Sequence, residues 1–238
     1  MTSQTKTAKP QSSAAIEVPR YSIPEVASYV RMSPETLRSW VQGRTYPTKG
    51  GTKTTTPMIT RPRSGDARLS YANLVEAYVL HALRKALNVP MPAIRDGIEY
   101  VEREFGVCRF LLSDKLRARQ GNLLIEHLGQ LINVGQGGQA ELRELVQRYL
   151  QRIDYADGLP SGLYPLTRPN RPEGPKRIVI FPDIGYGRPV TQRRFISTSA
   201  IVDRFEAGES VEDLAEDYDL EPVDIEEAIR IERHGLAA

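Results

Sequence analysis

The chain has 238 residues, 40% hydrophobic and 26% charged, with a formal net charge of +2, the composition of a globular protein able to bury a core. Its single cysteine, Cys108, excludes an intramolecular disulfide scaffold, and no Cys/His cluster has metal-ligand spacing, so no metal site is expected and a reducing cytoplasm is the expected compartment. The leading MTSQTKTAKPQSSAA lacks an apolar signal core and no run approaches about 18 apolar residues, so neither export nor a membrane partner is expected.

Charge is distributed unevenly. Residues 1–75 hold 11 Lys/Arg against 4 Asp/Glu, residues 76–196 hold 18 against 13, and residues 197–238 hold 3 against 13. The first region suits a polyanion and the last repels one.

Residues 1–19 are polar and Pro-containing and read as a disordered tail. Ser22-Ile23-Pro24-Glu25 is a capping box, and Ile23, Val26, Ala27 and Val30 follow as one apolar stripe of a short helix ending near Arg31-Met32. Ser33 is an N-cap and Pro34 fits the first turn of a second helix, Pro34 to Gln42, stopped by Gly43. Leu37, Trp40 and Val41 share one side of it while Glu35, Arg38, Ser39 and Gln42 face away, giving either a solvated face or the polar reach that base edges and phosphates require. Arg44, Lys49, Lys53, Arg61, Arg63 and Arg68 follow in a Gly/Thr/Pro-rich stretch whose only acid is Asp66. A basic loop or hairpin beside an exposed helix is suited to neutralising a phosphate backbone, so the stretch reads as a wing.

Ser70 caps a helix from Tyr71 to Leu87 with apolar residues on more than one face, which fits either packing within one chain or a seam between two. Pro92 opens a helix with Ile94, Ile98 and Val101 inward, ending at Gly106. Between Phe110 and Val134, short apolar runs split by Gln120-Gly121-Asn122 and Gly129-Gln130 suggest an antiparallel meander, and Glu141 to Ile153 a further amphipathic helix. Residues 159–175, with five prolines, read as an extended linker. Lys176 to Phe181 reads as a strand, Gly185 to Val190 as a turn and extended segment. Helices are expected at about Ser199 to Ala207, Val211 to Tyr218 and Val223 to Arg230, the second capped by Ser210. The last two form a second helix-turn-helix shape, but Asp224, Glu226 and Glu227 occupy the recognition position and would repel DNA.

The expected class is therefore mainly α with small β elements (α+β). Its expected divisions are a tail (1–19), a winged helix-turn-helix (20–90), a helix and meander block (91–158), a linker (159–175) and an acidic helical domain (176–238).

The segments Tyr21 to Ala27, Ser33 to Trp40, the basic wing and Leu69-Ser70-Tyr71 with Asn73-Leu74 resemble MerR-type regulators over roughly residues 21 to 88. The resemblance implies that the Thr-Leu-Arg helix enters the major groove and the wing flanks it. It suggests Ser33, Thr36, Arg38, Ser39, Gln42, Arg44, Lys49 and Lys53 as DNA-binding residues. Gly187 to Val190, Ile196-Ser197-Thr198, Phe205 to Val211, Asp217-Tyr218 and Glu227-Ala228-Ile229 resemble a bacterial domain family of antitoxins paired with PIN-domain toxins, over residues 176 to 232. The whole order is similar to the larger VapB-type antitoxins. That resemblance implies a type II toxin-antitoxin protein that blocks a Mg²⁺-dependent PIN-domain ribonuclease toxin and represses its own operon from its own operator, as a homodimer or a toxin-antitoxin hetero-oligomer. Arg188, Arg193, Arg194 and Phe195 are the toxin-facing candidates, one guanidinium reaching the carboxylates of the toxin's metal site; the same arginines also fit plain surface charge.

Two other readings stay open: a MerR-type regulator sensing a small molecule or a protein, without a toxin partner, and an interaction scaffold. Catalysis is not expected. His81, His127 and His234 stand beside no nucleophile, and Gly135-Gln136-Gly137-Gly138 lacks the Lys-Ser/Thr of a phosphate loop and reads as a loop. No cofactor is implied.

Overall fold

The computed structural model describes residues 13–48, 51–62, 66–131, 136–168 and 171–235. Lys49, Arg63, Val134, Gly135 and residues 1–12 lie outside these, as do the side chains of Lys53, Leu87 and His234.

The described part of the expected tail is built into the fold. Helix α1 (Ser13–Ile16) buries Ile16 in the main core, and Glu17 pairs with Arg109. A bridge between Tyr21 and Leu69 fixes the chain just before α2 (Ile23–Val30). The capping box forms: Ser22 Oγ accepts from the Glu25 amide at 3.3 Å and the Ser22 amide donates to Glu25 at 2.7 Å. Arg31, left-handed at φ 61, ends α2, and Ser33 Oγ accepts the Thr36 amide at 3.2 Å to open α3 (Pro34–Gln42). A hairpin follows, β1 (Arg44–Thr48) against β2 (Gly51–Thr55).

The Ser70/Asn73 capping box starts α4 (Tyr71–Leu87), whose residues from Tyr71 to Leu80 are all buried. Helix α2, α5 (Met91–Phe105), α7 (Gln136–Leu150) and strand β4 (Leu159–Leu163) all pack on it, so its two apolar faces are covered within one chain.

The middle block departs from the expected meander. Two 3-10 turns, Phe110–Leu112 and Asp114–Arg117, lead into α6 (Arg119–Leu131). Leu124, Ile125 and Leu128 are buried at helical spacing, and Gly121 sits where a Cβ would fall 1.7 Å from the Leu116 carbonyl. This glycine permits a close approach where a turn is expected. Helix α7 begins at Gln136, taking in the Gly137-Gly138 pair expected as a loop.

Strands β3 (Ile153–Ala156), β4, β5 (Ile178–Ile180) and β6 (Pro189–Thr191) form one antiparallel sheet in that order. Thus β4 occupies the start of the expected linker. Its other described residues are pinned on either side of 169–170: Tyr164, Leu166 and Thr167 are buried, and Arg152, 1% exposed, donates to the carbonyls of Tyr164 (2.8 Å), Pro165 (3.0 Å), Pro172 (3.1 Å), Gly174 (2.8 Å) and Pro175 (3.3 Å). Prolines have no N–H to satisfy, so one guanidinium with five donors meets much of what this backbone needs.

Helices α8 (Thr198–Glu206), α9 (Val211–Tyr218) and α10 (Pro222–Gly235) enclose a second core around Ile201, Leu214, Ile225 and Ile178. This unit is docked on the first. Helix α10 packs on α2, the Tyr21 hydroxyl donates to the Gly187 carbonyl at 2.7 Å, and Arg31 donates to the carbonyls of Leu166 and Thr167. Among the described residues no helix is long and apolar enough to cross a membrane, and no cluster of His, Cys, Asp and Glu could hold a metal.

Candidate nucleic-acid interface

Helix α3 buries Leu37, Trp40 and Val41 and leaves Glu35, Arg38 and Gln42 exposed. These three stand at i, i+3 and i+7 and so share one face. Arg38 and Gln42 have no partner within the chain among the described residues, so their polar ends are free to meet a ligand. Thr36 and Ser39 are half-buried and locally engaged, Thr36 Oγ1 taking the Ser33 hydroxyl at 2.9 Å and the Ser39 hydroxyl donating to the Thr36 carbonyl at 2.7 Å.

The hairpin is fastened to α3. The Trp40 carbonyl accepts the amides of Met58 (2.7 Å) and Ile59 (3.1 Å), and Ile59 is fully buried. Gly43, at φ 77, launches β1; a Cβ there would lie 2.2 Å from the Thr55 carbonyl oxygen, so only glycine lets the returning strand pass so close. Arg95 of α5 donates to the Thr56 carbonyl at 2.6 Å, and Asn73 Nδ2 to the Thr60 carbonyl at 3.0 Å. Arg44 is exposed on β1. Lys53 of β2 pairs by backbone with Tyr46 of β1, and its side chain, like the whole of Lys49, lies outside what is described. Arg61 donates to the Asp66 carbonyl at 3.1 Å and Arg68 pairs with Asp66 at 3.0 Å, so these two cations brace the return from the hairpin.

Beside the N-terminus of α3 lies a hollow of about 510 Å³ lined by Arg31, Ser33, Thr36, His81, Arg84 and Lys85 among others, with no carboxylate in its lining. Arg84 and Lys85 come from the last turn of α4, where cations meet the negative end of the helix dipole; basic residues in a final helical turn were the signal available in the sequence. Burial, reinforced by Lys85 and Arg84, lowers the His81 imidazole to about 4. It is neutral at neutral pH.

The second group of expected contacts is arranged differently. Arg188 pairs with Glu25 and stands over the Tyr21 ring. Arg193 meets Glu221 at 3.1 Å, and Arg194 pairs with Asp219. Phe195 is 49% exposed with its ring edge-on to Phe181 at 5.8 Å. Arg194 and Phe195 are both left-handed, at φ 67 and φ 56. The arginines therefore reach carboxylates of their own chain.

Residues 19–98, covering this helix pair, the hairpin and α4, match the family described as "Putative DNA-binding HTH domain". The chain carries a helix-turn-helix of that description. Residues 178–230 match "Protein of unknown function (DUF433)". A Mycobacterium tuberculosis protein named "Putative antitoxin VapB45" is 27% identical over 232 residues, covering 90% of this chain and 93% of that protein. The chain resembles a large VapB-type antitoxin along almost its whole length. A crystal structure titled as Rv2018 from Mycobacterium tuberculosis shares the fold of this VapB-like chain, with a TM-score of 0.64 at 24% identity over 90% of this chain and 99% of that one.

Proposed function

We propose that this VapB-like chain is the DNA-binding antitoxin of a type II pair, neutralising a PIN-domain ribonuclease toxin and repressing its own operon as a cytoplasmic dimer or toxin-antitoxin assembly, without catalytic activity. The observation that carries the DNA half is the junction of a free Arg38/Gln42 face, a hairpin bearing Arg44 and a hollow that presents cations without a carboxylate. In this reading α3 lies in the major groove, the hairpin follows the backbone as in MerR-type readers, and Arg84 and Lys85 take a phosphate at the hollow. The antitoxin half is supported by the likeness to a protein of that name over nearly the full length. The exposed turn carrying Arg193, Arg194 and Phe195 is the proposed edge facing the toxin, with Arg188 behind it.

The test is co-expression with the small open reading frame beside its gene, read by tagged pull-down and growth, together with a gel shift on its own promoter. A protective complex and specific promoter binding are expected. No complex and no toxicity, with promoter binding intact, would replace this reading by a ligand-responsive regulator. For DNA contact itself, Arg44→Ala is expected to weaken all sequences alike and to reduce the salt slope by about 1.

A further inference from the structure

The turn joining α2 to α3 is built against the local preference. Arg31 ends α2 left-handed at φ 61, its amide reaching the Ser28 carbonyl at 3.0 Å while the Met32 amide reaches the Ala27 carbonyl at 2.9 Å. Glycine enters such a closure without cost, and asparagine or aspartate with little. Asn88, Gly106 and Asp219 close α4, α5 and α9 in that conformation and are of those types. An arginine there gives up backbone ease and gains a long side chain, so the use of that side chain is what needs a reason. Its guanidinium crosses 135 residues of sequence, Nε donating to the Leu166 carbonyl and Nη2 to that of Thr167. The two acceptors are themselves fixed. Leu166 and Thr167 are 5% and 4% exposed; just before them Arg152 holds the carbonyls of Tyr164 and Pro165, and just after them Arg168 pairs at 3.0 Å with the fully buried Glu227 of α10.

We infer that Arg31 is a positioning residue for sequence reading: it clamps the α2–α3 turn to the 166–167 backbone and so sets the angle at which α3 presents Arg38 and Gln42, without touching DNA itself. The far end of α3 is held by the Trp40 carbonyl on the Met58 and Ile59 amides, and one side by buried Leu37, Trp40 and Val41. Its first turn starts at the Ser33 cap, two residues after Arg31. Nine residues long, α3 spans about 13 Å, so a tilt of about 10° around its far end carries the first turn by about 2 Å, where a bidentate base contact tolerates about 0.5 Å. The start of a recognition helix is where side chains meet base edges, which gives a clamp at this turn its leverage. Arg31 lines the cationic hollow together with Arg84 and Lys85, but those two are exposed whereas its own donors are spent on two carbonyls.

The role rests on the reading of α3 as the helix that enters the groove, and the experiment separates the two. Gel shifts on the chain's own promoter and on an unrelated duplex of equal length compare the full chain with two variants. Arg31→Gly keeps the turn conformation and removes the clamp; Arg31→Lys keeps the charge but cannot offer a planar fork to two carbonyls. Both are expected to lose about tenfold in the ratio of promoter to unrelated binding, with the salt slope on unrelated DNA unchanged because no phosphate contact is lost. Parental discrimination by Arg31→Lys, with Arg31→Gly weaker on both duplexes alike and its slope lower by about 1, would make Arg31 a phosphate contact and overturn the clamp. Unchanged discrimination in both variants, with only the melting temperature lowered, would reduce Arg31 to a stabilising residue and overturn it as well. Amide exchange in the DNA-free chain is the independent measurement. The Thr36 and Leu37 amides, bonded to the Ser33 hydroxyl and carbonyl at 3.2 Å each, are expected to exchange severalfold faster in both variants, and parental protection there would overturn the clamp whatever the DNA result. A parent that cannot tell its promoter from unrelated DNA would overturn the reading of α3 instead, with the exchange rates still deciding the clamp.

Discussion

Two helix pairs in this molecule have nearly the same outline and opposite surroundings. In α2–α3 the second helix is free on one side, with Arg38 and Gln42 outward. In α9–α10 the second helix is the mechanical centre of its unit, packed on α8, α9, β5, β6 and α2. Its Asp224 and Glu227 are buried at 1% and 0% exposure and bound by Arg177 at 3.1 Å and Arg168 at 3.0 Å. For Glu227, burial opposes ionisation, but Thr167, Arg168 and Arg230 outweigh it and hold the carboxyl below its ordinary range. A helix-turn-helix outline therefore specifies nothing about ligands; free outward faces and the sign of the charge do. The acidic pair buries Asp224 and Glu227 in structural ion pairs, whereas the basic pair leaves Arg38 outward without a partner among the described residues.

The largest expected effect breaks the joint between the two regions. Arg152→Leu strands five carbonyls that now share one buried guanidinium, and is expected to cost about 3–5 kcal/mol in urea unfolding. Amide exchange should speed first in residues 164–175. A loss under about 1 kcal/mol would show that this stretch holds itself without Arg152.

Next comes a direct contrast of the two second helices. Arg38→Ala is expected to weaken promoter binding by about 1–3 kcal/mol and to relax discrimination against unrelated DNA. Glu226→Ala, at an exposed position of α10, should leave that discrimination unchanged. Equal effects in gel-shift titrations would contradict the division of labour between the pairs.

His81 sharpens the same contrast through pH. Its imidazole is held at about 4 against an ordinary 6.5 by burial, with Lys85 and Arg84 adding to it. Between those values the unfolded chain binds the proton and the folded chain does not, so stability is full above about 6.5 and falls as pH drops toward 4. The expected loss is about 2 kcal/mol across that window, after allowing for partial exposure. His81→Gln should flatten this part of a urea-midpoint profile. A variant profile as steep as the parent's would assign the acid sensitivity to other groups.

Much of this contrast is legible in the chain, because caps are local chemistry. Ser22, Ser33, Ser70 and Ser210 each open the helix expected of them, and the reversal of charge between the ends is a matter of counting. The α+β class and the helix-turn-helix follow from those signals. What escapes is long-range. Gly121 reads as a turn because its packing against Leu116 is invisible in one dimension, so α6 is expected as strands. The Pro-rich stretch 159–175 reads as a connector because nothing local announces that Arg152 meets the carbonyls of Pro165, Pro172 and Pro175. Likewise Arg188, Arg193 and Arg194 look available until Glu25, Glu221 and Asp219 are brought to them by folding.

The smallest effect tests whether the two pairs are separable. Ser33 and Ser210 cap α3 and α9 alike, accepting the amides of Thr36 at 3.2 Å and Asp213 at 3.1 Å. Each hydroxyl also donates to the side chain three residues on, Thr36 Oγ1 at 2.9 Å and Asp213 at 2.6 Å. Replacing either serine by alanine removes one cap and is expected to cost about 1 kcal/mol of stability. The costs should match because the local chemistry matches. Their consequences for DNA should not: fraying the first turn of α3 disturbs Thr36 and the lining of the cationic hollow, whereas fraying α9 disturbs a helix with no proposed contact. Ser33→Ala is thus expected to weaken promoter binding severalfold at unchanged salt slope, since no cation is lost, and Ser210→Ala to leave it as it was. If Ser210→Ala weakened binding equally, the docking of α10 on α2 would be transmitting the state of the acidic unit to the basic one, and the two pairs would have to be treated as a single reading surface.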